Sequence, residues 1–312
     1  MIHEVLRKAL LWAARNDWMR EHLAEQPFMR RAVRRFMPGE EIGDALGAAT
    51  ELQAIGIGTL YTRLGEAIVD PADAQAVEDH YRELLRSIKA AGIDGEISVK
   101  PTQLGLDIDE DVCLGHLRAL AAAAAEQGSY LWIDMEDSGY VDRTLDLYQR
   151  LRATHANTGV CLQAYLRRTA RDIERLLPLA PAIRLVKGAY DEPRAVAFRA
   201  RREVDANFLG LAVTLIRESR ARLGMRVGLG THDVELIEQI AAHAAAAGVG
   251  KDAFEVQMLY GIRSKEQRRL VKAGYRVETL IAYGGSWYRW YMRRLAERPA
   301  NVLFALRQLL PG

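Results

Sequence analysis

The sequence predicts an α/β fold, a TIM-like (β/α)8 barrel, and three observations predict it. From residue 55 onward, eight short β-branched or apolar runs alternate with longer amphipathic stretches, the order that builds a parallel sheet with helices outside it. Glycines end several of these stretches, at Gly92, Gly128, Gly159, Gly224, Gly248 and Gly274, the C-cap signal before a following strand. The main competitor, a doubly wound sheet, wants a Gly-rich first turn. Neither GIG (56–58) nor GLG (228–230) continues into G-x-G-x-x-G.

Residues 1–54 read as extra helices before the barrel. Within them MRRAVRRFMPG (29–39) sets Arg30, Arg31, Arg34 and Arg35 around Val33 and Phe36. A solvated amphipathic face is the simpler reading, and a membrane-surface contact is the alternative. The strand candidates are 55–64, 96–102, 130–136, 159–165, 182–190, 226–233, 254–261 and 275–284. Between the first two, PADAQAVEDHYRELLRSIKAAG repeats Ala76, His80, Leu84 and Ile88 near the helical period. A last helix is expected over 299–310, with Pro299 near its start, where a missing N–H costs nothing. No linker divides the chain, so residues 55–312 form the barrel and the whole is one domain.

Bulk properties narrow the function. A chain of 312 residues that is 49% hydrophobic, with a formal charge of +2, can bury a large core and gives no reason to expect a nucleic-acid partner. No apolar run approaches the ~20 residues of a membrane-spanning helix, and ALLWAA (9–14) is too short for a secretion signal. Cys113 and Cys161 form no CxxC and read as reduced core residues. A cytoplasmic location is the simplest expectation.

Barrel chemistry gathers at the C-terminal strand ends. Here six ends carry polar groups: Lys100, Asp134 with Glu136, Gln163, Lys187 with Tyr190, Thr231 with His232, and Gln257. Taken singly, Lys100 reads as well as a surface lysine, and His232 as a hydrogen-bonded core residue. The KGAY run (187–190) reads equally as a plain turn or as a ligand loop, in which Gly188 allows close approach and Lys187 offers charge. Asp134 and Glu136 share strand parity and could hold Mg²⁺, but further His or Asp ligands are missing, so no metal is expected. Arg184 lies in mid-strand, where burial demands a partner or a ligand; its parity with Val186, Gly188 and Tyr190 points it into the barrel. Near the C-terminus, WYRWYMRRLAE places Arg293 and Arg294 after four aromatics, with only Glu297 one helical turn away. Two cations facing one anion leave room for a second anion, such as a substrate.

These pieces, in this order, resemble the proline dehydrogenase family, especially its small bacterial single-function members. The resemblance covers roughly residues 50–310. It rests on VKPTQLGL (99–106), WIDMED (132–137), CLQAYLRR (161–168), RLVKGAYDEP (184–193), GTHD (230–233), FEVQMLYG (254–261) and MRRLAERPANVLF (292–304). It implies FAD-dependent oxidation of L-proline to Δ1-pyrroline-5-carboxylate in a distorted barrel with a C-terminal helix over its mouth. By resemblance, Arg293, Arg294 and Lys100 grip the substrate carboxylate, Glu297 steadies the arginines, and Asp134 and Arg184 are catalytic, Arg184 lying near the flavin. Met135, Gln163, Lys187, Gly188, Ala189, Thr231 and His232 match flavin-contacting positions, while Tyr190 and Leu259 match the wall of the proline ring. Glu66 matches a glutamate that pairs with Arg293 in the empty site, a gate. Electrons are expected to pass to a quinone, which implies a peripheral membrane encounter. In one departure, Leu280 stands where most relatives carry tyrosine, and Tyr283 does not fill that position. A different cyclic amino acid, or a Schiff-base lyase built on Lys100 or Lys187, are the competing readings.

Overall fold

The computed structural model describes residues 26–65 and 68–297, with positions 9, 10, 12, 13, 16, 18, 19 and 22 before them. Numbered from the first helix given in full, the order begins α1 (Pro27–Val33), α2 (Ile42–Gln53), β1 (Gly58–Arg63), α3 (Pro71–Ala90), β2 (Gly95–Val99) and α4 (Glu110–Glu126). It continues with β3 (Leu131–Ile133), α5 (Val141–Arg152), β4 (Thr158–Gln163), α6 (Thr169–Leu176), β5 (Ala182–Val186) and α7 (Arg201–Ala221). The last elements are β6 (Arg226–Gly230), α8 (Val234–Ala246), β7 (Glu255–Leu259), α9 (Ser264–Lys272), β8 (Arg276–Tyr283) and α10 (Trp287–Glu297). The eight strands are parallel and close in sequence order, β1 pairing with β8 from Gly58↔Glu278 to Arg63↔Tyr283. The expected (β/α)8 barrel is present.

Helix boundaries follow local chemistry. Asp70 caps α3 by accepting from Ala72 N at 2.8 Å, with Pro71 at the first helical position, and Asp109 caps α4 through the amides of Asp111 and Val112. Five of the six glycines expected to end helices are left-handed; Gly159 is not, because it lies inside β4. The buried face of α3 also differs in phase from the expectation. It consists of Ala74, Val77, Glu78, Tyr81, Leu84, Leu85 and Ile88, leaving Ala76 exposed, since Tyr81 is the side chain long enough to bridge two strands. Its hydroxyl donates to Ser98 O at 3.0 Å and accepts from Arg63 N at 2.9 Å.

Two helices outside the repeat shape the mouth. α2 buries Ala45, Ala48 and Ala49 against β1 and β8, so it serves in the outer helical layer although it precedes the first strand. That leaves α10 free to pack elsewhere. Its Trp287, Tyr288, Tyr291, Met292 and Leu295 cluster with Leu64, Ala282 and Ile262, at the C-terminal ends of β1, β8 and β7. Met29, Ala32, Val33, Phe36 and Met37 of the α1 segment back the same cluster. The basic stretch therefore spends its apolar residues on α10, Val33 and Phe36 each being 3% exposed, and presents only Arg30, Arg31, Arg34 and Arg35 to solvent. This is the amphipathic arrangement expected of the stretch. The expected helix at 299–310 lies outside the described residues.

The opposite end of the barrel is closed by charge. Arg226 bonds Glu255 at 2.8 Å and Glu96 at 2.6 Å, and half-exposed Arg276 reaches Glu278 at 3.3 Å. Burial, together with the neighbouring charges of Glu255 and Glu96, pushes the Glu278 carboxyl up to about 8; Arg276 and Arg226 only partly offset this. Raised from 4.5, this group keeps its proton in the folded chain while the unfolded chain loses it. Its contribution is thus fully present below pH 4.5 and is lost as pH rises through about 8. Glu278→Gln is expected to flatten the decline in stability across that window and to gain about 2–4 kcal/mol above it. Urea unfolding from pH 5 to 9 checks this, and parallel wild-type and variant curves would refute it.

Candidate active site at the C-terminal mouth

Ser98 of β2 and Arg184 of β5 meet Lys100 and Asp134, each the first residue beyond β2 and β3, across the barrel. Asp134 is the centre of this group. Its Oδ1 accepts from Ser98 Oγ at 2.8 Å and Arg184 Nη1 at 3.0 Å, and its Oδ2 accepts from Lys100 Nζ at 3.3 Å. Burial alone would push this carboxyl up, but the charges of Lys100 and Arg184, with the Ser98 hydrogen bond, outweigh it and hold Asp134 below the usual carboxylate range. The carboxylate is a fixed negative charge between two cations. Glu136 does not join it, accepting instead from Thr102 Oγ1 at 2.7 Å. Among the described residues no three His, Cys, Asp or Glu side chains converge as a metal site.

Arg184 is 4% exposed. Its Nη1 also donates to Ser98 Oγ at 3.1 Å. Its Nε and Nη2 have no hydrogen-bond partner among the described residues, and neither has Gln163 Oε1, whose amide nitrogen donates to Glu136 O at 3.1 Å. Buried donors and acceptors are rarely left so. An acceptor for Arg184 and a donor for Gln163 would complete the mouth, which suits a polar heterocycle lying there.

Lys187 is ion-paired within the protein. It is engaged by Asp205 of α7 and, at 2.8 Å, by Asp233, the N-cap of α8, while Arg201 joins both carboxylates at 3.4 and 3.2 Å. Its charge is locally balanced rather than offered alone to a ligand. Burial opposes the ionised form of Asp233, yet the Lys187 and Arg201 bonds hold it below the usual range. Thr231 supports this turn, its hydroxyl accepting from Asp233 N at 3.2 Å. Gly188 is needed for a reason the sequence did not disclose: at φ +113° a Cβ there would stand 2.2 Å from the Tyr165 ring. Ala189, Tyr190 and His232 are half-buried on the same loops, and Met135 is 6% exposed.

The apolar side of the mouth is β7–β8. Leu259 and Leu280 are register partners and both half-buried, and Leu280 packs on the interior cluster of Leu60, Trp132 and Ala182. Tyr283 faces outward, its hydroxyl 2.8 Å from His80 Nε2. Gln257 lies lower than expected, inside the barrel, where it bonds Glu255 of the charged floor. Above, α10 carries Arg293 and Arg294, both half-buried, with Arg294 6.0 Å above the Trp290 ring. Glu66 lies outside the described residues, as does the side chain of Glu297. Sequence reading missed Ser98, Trp132 and Asp205. Ser98 shares parity with Lys100 and was within reach of that argument; no local signal marks the other two.

The fold and this site define a class: a (β/α)8 barrel with a carboxylate between two cations at its mouth and an arginine-bearing helix above. Residues 45–307 match the family described as Proline dehydrogenase. The chain is 38% identical to "Proline dehydrogenase" of Deinococcus radiodurans over 317 residues, covering 100% of both chains. It is 34% identical to "Proline dehydrogenase 1" of Bacillus subtilis (strain 168), covering 98% of this chain and 99% of that one. The chain belongs to the proline dehydrogenase family. Among solved structures, proline utilization A (PutA) from Bdellovibrio bacteriovorus superposes with a TM-score of 0.80 at 20% identity, over 93% of this chain and 38% of that one. This last likeness concerns the fold, and the chain spans little more than a third of that protein.

Proposed function

We propose that this protein is an FAD-dependent proline dehydrogenase that oxidises L-proline to Δ1-pyrroline-5-carboxylate and passes the electrons to a quinone. The observation that carries the reading is the buried Arg184 edge, two N–H-bearing nitrogens without an acceptor among the described residues, beside an ionised Asp134 and under a helix that presents Arg293 and Arg294. When bound, FAD would supply the two-electron acceptor for the oxidation. Arg184 and Gln163 would hold its ring, with Met135, Gly188, Ala189, Thr231 and His232 around it. Lys187, paired with Asp205 and Asp233, would stand with them at the flavin.

The protein's own part is positioning. Lys100, Arg293 and Arg294 receive the substrate carboxylate; planar guanidinium forks suit this because each can hold two oxygens. Tyr190, Leu259 and Leu280 close on the ring from the apolar side and exclude water, fixing the other end of a small substrate. Asp134 keeps Lys100 and Arg184 from repelling one another while the anion enters. Glu66, competing with substrate for Arg293, would make α10 a lid. A Schiff-base lyase has no observation in its favour, since each lysine is engaged by carboxylates, whereas a nucleophilic amine needs surroundings that shed its proton.

The test is anaerobic mixing of the purified flavoprotein with L-proline and other cyclic amino acids, watched in the flavin band. Bleaching by L-proline is expected. Because Leu280 offers no hydrogen bond, 4-hydroxyproline should be poorer by about 10-fold to 10²-fold in kcat/KM. A protein that binds no flavin, or one unbleached by any cyclic amino acid, would overturn the assignment.

A further inference from the structure

Trp132 is fully buried inside the barrel. Two guanidinium groups lie over its ring, that of Arg184 at 4.9 Å and that of Arg226 of the floor at 5.2 Å. The indole is held by more than packing. Its Nε1 donates to Glu96 Oε2 at 2.7 Å, and Glu96 Oε1 accepts from Arg226 at 2.6 Å. Gly159 on β4 supplies the space, because a Cβ there would come within 2.6 Å of the indole edge. Arg184, by contrast, is hydrogen-bonded among the described residues through Nη1 alone. One anchored nitrogen fixes a point and leaves the guanidinium plane free to turn; the face of a locked ring removes that freedom.

We propose that Trp132 is a positioning residue, tethered through Glu96 to the charged floor, which sets the plane of Arg184 so that its Nε–Nη2 edge meets the cofactor. The inference rests on the reading of Arg184 given above. It assigns the floor a purpose beyond closing the barrel: Arg226 and Glu96 hold the indole, and the indole holds the arginine. Trp132 touches neither substrate nor cofactor in this scheme, so its effect must vanish when Arg184 is absent.

A double-mutant cycle tests this on the flavin-loaded protein. Trp132→Leu is expected to slow reduction by L-proline about 10-fold to 30-fold and to lower the midpoint potential of the bound flavin. Affinity for a carboxylate analogue of proline should stay within about threefold, because that group is gripped elsewhere. Trp132→Phe keeps a ring and loses the tether, so the loss is smaller, about threefold. In the Arg184→Ala background neither substitution should slow reduction or shift the potential further. The proposal is overturned if the folded leucine variant matches wild type, or if either substitution costs as much without Arg184 as with it. Should the leucine variant not fold, a phenylalanine variant at the wild-type rate and potential overturns it. If Arg184→Ala alone leaves rate and potential unchanged, the role of Arg184 fails first and the proposal with it, a result distinct from an additive cycle.

Discussion

Arg184→Ala is expected to slow reduction of the bound flavin by L-proline about 10²-fold to 10³-fold, with analogue affinity changed far less. The reason is electrostatic. A buried guanidinium with an unengaged edge acts most strongly on charge that develops during reaction, because no solvent must reorganise to meet it. On the proposed reading the same edge contributes little to gripping a carboxylate, which Lys100 and α10 would hold. Single-turnover reduction at saturating proline, set beside analogue titration, separates the two effects. An unchanged reduction rate would remove Arg184 from the mechanism.

The second large effect concerns Asp134. Asp134→Ala should lower stability by about 3–5 kcal/mol, since it leaves Lys100 and Arg184 buried close together without their shared counter-ion. Asp134→Asn, which keeps the shape and an acceptor, should lose less. The pH dependence has a definite sign. The folded-state pKa of Asp134 is depressed, so its stabilisation is fully present above the unfolded value of 3.8 and is lost as pH falls through the lower folded value. The gap between wild type and Asp134→Asn should therefore be constant near neutrality and close below about pH 4. Chemical unfolding at pH 7, 4 and 3 measures it; a gap unaltered by acid would mean that the carboxylate charge contributes nothing.

Much of the site could be read from strand parity. Arg184 in AIRLV had to look inward or stand unpaired, and it does look inward, with Asp134 and Lys100 facing it. Parity failed where the strand stopped early. β3 ends at Ile133, so Asp134 and Glu136, two residues apart, take different partners. It also said nothing about depth, which is why Gln257 was expected at the rim and lies in mid-strand, reaching down to Glu255 of the floor.

The chain by itself determined the alternation of strands and helices, most of the helix ends and the inward turn of Arg184, because these depend on periodicity, caps and desolvation within one or two turns. Only the folded barrel decided that Lys187 meets Asp205 and Asp233, that Trp132 meets both Arg184 and Arg226, and that α1 braces α10 above the mouth. Those contacts join residues up to hundreds of positions apart, and a local pattern carries no information about which distant side chain fills the other half of a buried contact.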